Sequence, residues 1–219
     1  MKGFIILGLS VSSVLSAQTD STQIKEIQEV SFTRRLPVSK EIINVQKDLG
    51  SKNLGQDLPI LLKNQMSVIS TSDAGNGVGY TGFRIRGTAG TSINVMLNGV
   101  PYNDSESQGT FFVNIPDMAS SASQIVIQRG VGTSSNGTAS FGASVNILTK
   151  NPDEKPYVLG QFSAGSFNTM KTSFEAGSGK FLNNLLSVSA RYSTINSDGY
   201  IDRAFSKLNS YNINLLFEK

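Results

Sequence analysis

From residue 156 onward, apolar and polar positions alternate with period two, the spacing of a half-buried strand. Met170, Thr172, Phe174 and Ala176 share one face, and Lys171, Ser173 and Glu175 share the other. Leu186, Val188, Ala190 and Tyr192 oppose Ser187, Ser189 and Arg191; Tyr211, Ile213, Leu215 and Phe217 oppose Asn212, Asn214 and Glu218. Val158, Gly160, Phe162 and Ala164 give a weaker version of the pattern. Segments of about 10 residues with one apolar and one polar face are the mark of transmembrane β-barrel strands. A soluble β-sandwich also alternates and stays open on pattern alone. A short turn at 177–183 and a long polar stretch at 195–207 fit the barrel habit of short periplasmic turns and longer external loops. Four strands cannot close, because the smallest such barrels have about 8. Open edges in lipid would leave backbone groups unpaired. The 219 residues are therefore expected to be the N-terminal part of a longer protein.

Upstream, residues 80–149 carry three apolar runs punctuated by turns. Phe83-Arg84-Ile85-Arg86-Gly87 alternates and stops on glycine; residues 93–97 are mostly apolar and end at the turn signal Asn98-Gly99; residues 124–128 are β-branched and strand-like. Ile42-Ile43-Asn44-Val45 and residues 66–70 are further strand candidates. Leu54, Leu58, Leu61 and Leu62 have the spacing of one helix face, with Asp57 as a cap and Pro59 in the first turn. Pro116-Asp117-Met118 resembles the first turn of a short helix. Gly77-Val78-Gly79-Tyr80-Thr81-Gly82 fits the GxGxxG spacing, but a dinucleotide site needs a helix opening at these glycines. A period-two segment follows instead, so the glycines are expected to form a flexible surface loop. Residues 103–109 form a polar loop whose acids are too few, and wrongly spaced, for an EF-hand calcium site.

The N-terminus has a different character. Lys2 followed by an apolar run from Phe4 to Leu15 and by Ser16-Ala17 reads as an export signal spanning 1–17, since the run is shorter than the roughly 20 residues a spanning helix needs. Residues 18–40 are polar and read as a tail. Within it, Glu26, Ile27, Gln28, Glu29, Val30, Ser31, Phe32 and Thr33 alternate and could pair as an added strand, or be no more than part of that tail.

Composition narrows the chemistry. The chain has no cysteine and no histidine, which excludes a thiol nucleophile, a disulfide, a Cys/His zinc site and a Ser-His-Asp triad, so an enzyme is not expected. The absence of cysteine also rules out lipid attachment at the cleavage point. Hydrophobic residues make up 38%, low for a soluble core of this size, and the 21 glycines suit short strands with many turns. A net charge of +3 with dispersed basic residues does not argue for nucleic acid. Neither a cofactor nor a metal site is expected.

Four motifs in order, FRIRGT at 83–88, INVMLNGVPYND at 93–104, IVIQRGVGTSSNG at 125–137 and FGASVNILTK at 141–150, resemble the plug domain of TonB-dependent outer-membrane receptors. The resemblance covers about 41–150. It implies an α+β plug domain, a small mixed sheet with short helices, followed over 156–219 by the opening antiparallel strands of a transmembrane β-barrel. It further implies energised uptake across the outer membrane of a scarce ligand, most often a ferric siderophore, sometimes cobalamin or a glycan. The N-terminal tail would lie in the periplasm, where a segment pairs with TonB; by position, Glu26 to Thr33 resembles that TonB box. Arg86 and Arg129 stand where the family has plug arginines that pair with wall glutamates, which would lie beyond Lys219. Tyr102, Asn103, Asp104, Ser105, Glu106 and Gln108 are the plug-loop residues expected to face the ligand. The acid that many members carry in the third motif is absent: Val126 is apolar, and Gln124 and Gln128 are neutral. An exported β-rich adhesin or binding protein with no transport is the alternative of a different class.

Overall fold

A computed structural model of the chain describes residues 39–131 and 141–218. The export signal, the candidate TonB box at 26–33 and residues 132–140, which include the end of the third motif, lie outside the described residues. Eleven strands and two short helices are described. The strands are β1 (Ser39–Asn44), β2 (Val68–Ser72), β3 (Thr81–Ile85), β4 (Ile93–Leu97), β5 (Val100–Pro101), β6 (Ala122–Arg129), β7 (Ala143–Thr149), β8 (Pro156–Ala164), β9 (Met170–Phe181), β10 (Leu186–Ser197) and β11 (Ser206–Phe217). The helices are α1 (Leu58–Leu61) and α2 (Met118–Ser121).

The first seven strands build the plug. Five of them form a mixed sheet in the order β1-β6-β7-β4-β5, antiparallel except where β4 runs parallel to β7. The β2–β3 hairpin is a separate two-stranded sheet. Ile125, Ile127, Val145, Ile147, Ile93 and Val95 supply the sheet's share of one core, and Leu58, Leu61, Leu62, Val68, Phe83, Ile85 and Phe112 pack against it. Central strands covered on both faces read as nearly continuous apolar runs, which is why residues 93–97 are apolar with little alternation.

The helix is much shorter than the leucine spacing suggests. α1 makes a single turn, capped by Asp57 with Pro59 in its first positions, and Leu54 stays outside it, 44% exposed. Val45 also leaves its expected strand, opening a π-helical turn (Val45–Leu49) that buries Val45 and Leu49. The glycine loop at 77–82 enters β3, not a helix, so the dinucleotide context is absent. Nor is it a free surface loop: Gly77, Val78 and Gly79 are buried, and a Cβ on Gly77, at φ +85, would press on Ile60.

The last four strands form an antiparallel sheet in the order β11-β10-β9-β8. Three of them are 12 residues long, about 40 Å of extended chain. They run further than the composition suggests. β9 continues through Gly177 and Gly179 to Phe181, with a bulge in the pairing at Ser187/Ser189. The expected turn at 177–183 therefore shifts to 182–185, and the long connection shrinks to 198–205. Burial is inverted relative to a soluble protein. Ile213 and Leu215 on one face are each 70% exposed, whereas Lys171 and Ser193 on the other are buried to 1% and 0%. Among the described residues no helix is long and apolar enough to cross a membrane, which says nothing of strands.

Asp57 is the plug's buried acid without a cation. It is 2% exposed and receives the Thr81 hydroxyl on Oδ2 at 2.9 Å, while Oδ1 has no partner. Burial pushes its carboxyl up to about 7 from 3.8, opposed by the Thr81 hydroxyl and the Gly79 amide. A carboxyl whose folded value is raised stabilises the fold fully below its unfolded value and loses that contribution as pH rises through the folded one. The plug's urea midpoint is thus expected to fall between pH 4 and 7, by free energy on the order of 4 kcal/mol at most. Asp57→Asn, which keeps an acceptor for Thr81, should flatten that slope, and urea titrations at several pH values would show it.

Candidate functional site: the plug against the wall

The polar faces of β9 and β10 meet the plug around Asp117. Pro116 and Asp117 turn the chain into α2, and Asp117 adopts φ +53, a left-handed conformation that aspartate tolerates better than most residues. This turn aims its carboxylate at the wall. Oδ1 accepts Lys171 Nζ at 2.6 Å and the Ser120 hydroxyl at 2.6 Å, and Oδ2 accepts Arg191 Nη1. Arg191 also donates to Ser121 Oγ from Nε at 3.1 Å and from Nη2 at 2.6 Å, to Ser193 Oγ at 3.0 Å and to the Asp117 carbonyl at 3.2 Å. All three charged side chains are buried. Burial alone would raise the Asp117 carboxyl, but the Lys171 and Arg191 cations more than offset it and hold it below the ordinary range.

Two further contacts seat the plug. Gly55, at φ +113, lies so close to the wall that a Cβ there would come within 3.3 Å of Lys171 Cβ. The loop between β2 and β3 reaches the far ends of β10 and β11: Tyr200 donates its amide to Ala74 O at 2.9 Å, and Asn76 donates to Ser197 Oγ.

The residues singled out from the sequence fall in two places. Arg129 ends β6, buried, and its guanidinium pairs with Glu41 of β1 while Nε donates to Met66 O at 3.0 Å. Its carboxylate partner thus lies inside the plug, across the register pair that sets Ser39 against Arg129. Arg86 takes φ +52 and lays its guanidinium against the backbone of Gly130, beside Arg129, with no ion pair among the described residues.

The loop after β5 is at the end of the sheet away from the linker into β8. Asn103 holds it there, accepting Val95 N at 2.8 Å and donating to Ile93 O at 2.9 Å and Gln108 O at 2.7 Å. Its side chain is therefore spent on the loop itself. Asp104, Ser105, Glu106 and Gln108 are exposed, and Tyr102 is half-buried. Asp104 accepts the Ser107 amide at 2.7 Å and hydroxyl at 2.8 Å, bonds that hold its carboxyl below the ordinary range. Among the described residues no cluster of three or more acids is placed to hold a metal.

Sequence reading missed Asp117, Lys171 and Glu41 as partners. Only the positions of Lys171 and Arg191 on a polar strand face, within otherwise serine-rich company, signalled that something charged must face them.

Comparison with known proteins bears on this arrangement. Among solved structures the chain is similar to the Pseudomonas aeruginosa receptor FpvA bound to heterologous pyoverdines, at 16% identity and TM-score 0.68, covering 85% of this chain and 24% of that one. It is also similar to the ferric yersiniabactin uptake receptor FyuA from Yersinia pestis, at 16% identity and TM-score 0.60, covering 81% and 28%. The copper transporter OprC is similar at 14% identity and TM-score 0.59, covering 80% and 28%. These likenesses show a shared fold, and the chain spans about a quarter of the length of each of those receptors. No curated protein matches the chain. The family model for the TonB-dependent receptor plug domain matches residues 33–144, just over half of the chain. With its mixed sheet, its short helices and the antiparallel strands that follow, the chain belongs to the TonB-dependent receptor plug family.

Proposed function

We propose that this chain is the plug and the first wall strands of an outer-membrane importer that takes up a scarce ligand, a ferric siderophore or other iron chelate, with energy delivered through TonB. One observation carries the reading: a folded plug is fastened by buried charge to the polar face of strands whose opposite face is apolar and exposed. Such a sheet suits lipid on one side and a filled lumen on the other. FpvA binds pyoverdines and FyuA is a ferric yersiniabactin uptake receptor, which supports the ligand class; OprC, a copper transporter, is the relative whose cargo differs.

In this reading residues 1–17 export the chain and the tail at 18–40 lies in the periplasm. Glu26 to Thr33 add as a strand to TonB, main chain to main chain. Arg86 is open to meet an acid of the wall, and the exposed loop residues Asp104, Ser105, Glu106 and Gln108 face the incoming ligand.

Uptake decides the function. Iron-starved cells producing the protein should accumulate radiolabelled ferric siderophore, and a protonophore or deletion of residues 26–33 should abolish accumulation while surface binding persists. Accumulation of cobalamin or an oligosaccharide instead would replace the ligand class; binding with no energy requirement would favour an adhesin or binding protein. The membrane face is tested separately. Ile213→Lys is expected to cost about 2–4 kcal/mol and deplete the protein from the outer membrane, whereas Asn214→Lys on the inner face should assemble normally, as heat-modifiability on gels would report. Asp117→Ala strands two buried cations and is expected to loosen the plug by about 3–5 kcal/mol, read as a lowered urea midpoint for plug unfolding.

A further inference from the structure

Arg191 has a second carboxylate within reach that it does not use. In the register of β9 and β10, Arg191 stands directly opposite Glu175, and both side chains point to the inner face. Directly opposed residues place their Cβ atoms about 5 Å apart, well inside the reach of an arginine. Yet among the described residues Glu175 makes no ion pair, and it is half-buried. Its Oε1 accepts the Tyr157 hydroxyl at 2.6 Å from the neighbouring strand. Arg191 is turned instead toward the plug, where Asp117 and Ser121 hold it.

Space for the alternative exists. Glu175 borders a crevice of about 400 Å³ between plug and wall, lined on the plug side by Gln46, Asn53 and Ser120 and on the wall side by Gln161 and Ser163. Lys150 is a cation that borders the same crevice. If α2 moves off the wall, Asp117 leaves with it, and a guanidinium stranded on the inner wall would oppose that movement. A carboxylate already waiting across the strand pair removes the opposition.

We propose that Glu175 is a positioning residue for plug release: it receives Arg191 when Asp117 departs, so that the ion pair is exchanged and not broken. The Tyr157 hydroxyl keeps Glu175 parked on the wall while the plug is seated. The proposal rests on the uptake reading only for its purpose, since plug displacement is the event it serves.

The test reads plug opening directly. The 219 residues contain no cysteine, and Ala119 on α2 is buried at the wall of the crevice, so Ala119→Cys reacts slowly with a maleimide while the plug is seated and faster when α2 opens. Labelling is followed in native outer-membrane vesicles at a urea concentration below the unfolding transition. Adding Glu175→Gln, which still accepts the Tyr157 hydroxyl, is expected to slow labelling about tenfold, as the abandoned guanidinium then has no carboxylate. Glu175→Asp should label at close to the native rate. Unchanged or faster labelling in Glu175→Gln would overturn the proposal, as would Glu175→Asp behaving like Glu175→Gln. In an Arg191→Met background, where Lys171 still serves Asp117, Glu175→Gln should have no effect; a persisting effect would assign Glu175 to Lys150 and sink the exchange. Labelling needs neither ligand nor TonB, so failed uptake leaves this result readable, and a failed exchange leaves the uptake reading standing.

Discussion

A cation on the covered face of a sheet has to be met by something, because burial takes away the water that would otherwise solvate it. Lys171 and Arg191 occupy that position, and Asp117 meets both. The docking of the plug on β9 and β10 is built around this contact. The left-handed turn at Asp117 directs the carboxylate, the serines at 120, 121 and 193 take the remaining donors, and the close approach at Gly55 brings the plug backbone onto Lys171. Replacing such a cluster with apolar groups could match it in stability. Removing one member alone is a different matter, since it would leave a buried charge without its partner.

Much of the architecture was legible in the period of the chain. Alternation at 170–176 and 186–192 marked two strands and their faces, because a strand with one wet and one greasy side must alternate. Asp57 and Pro59 marked the start of α1 correctly. The ends of elements were less legible. Gly177 and Gly179 read as a turn, yet ladder pairing with β8 and β10 carries the strand past both. The glycine loop read as exposed because nothing local says that Ile60 and the wall will close over it.

The candidate site was half legible. Arg129 and Arg86 stood out by motif, and the structure sets the Arg86 guanidinium near Gly130, the residue after Arg129. Their surroundings did not stand out, since Glu41 lies 88 residues from Arg129 and Asp117 lies 74 from Arg191. Pairings of that separation leave no periodic trace; they exist only once the sheets have been assembled. Asn103 shows the opposite failure: its polar side chain looked free to meet a ligand, but the backbone of Ile93 and Val95 uses it first.

The order of the plug sheet has a consequence for how the chain can be made. β7 is the last plug strand in sequence but the middle one in space, between β6 and β4. Until it emerges, β1 with β6 and β4 with β5 are two unjoined pairs; the first joins Ser39 to Arg129, and the parallel contact of β4 with β7 joins Ile93 to Ala143, both far apart along the chain. Non-local pairings of this kind are slow to form, because the intervening loop must be ordered first. The sheet cannot lock during synthesis of its own first hundred residues. A sheet with its keystone made last stays open at the centre until nearly the whole domain is available, so its halves can close only together.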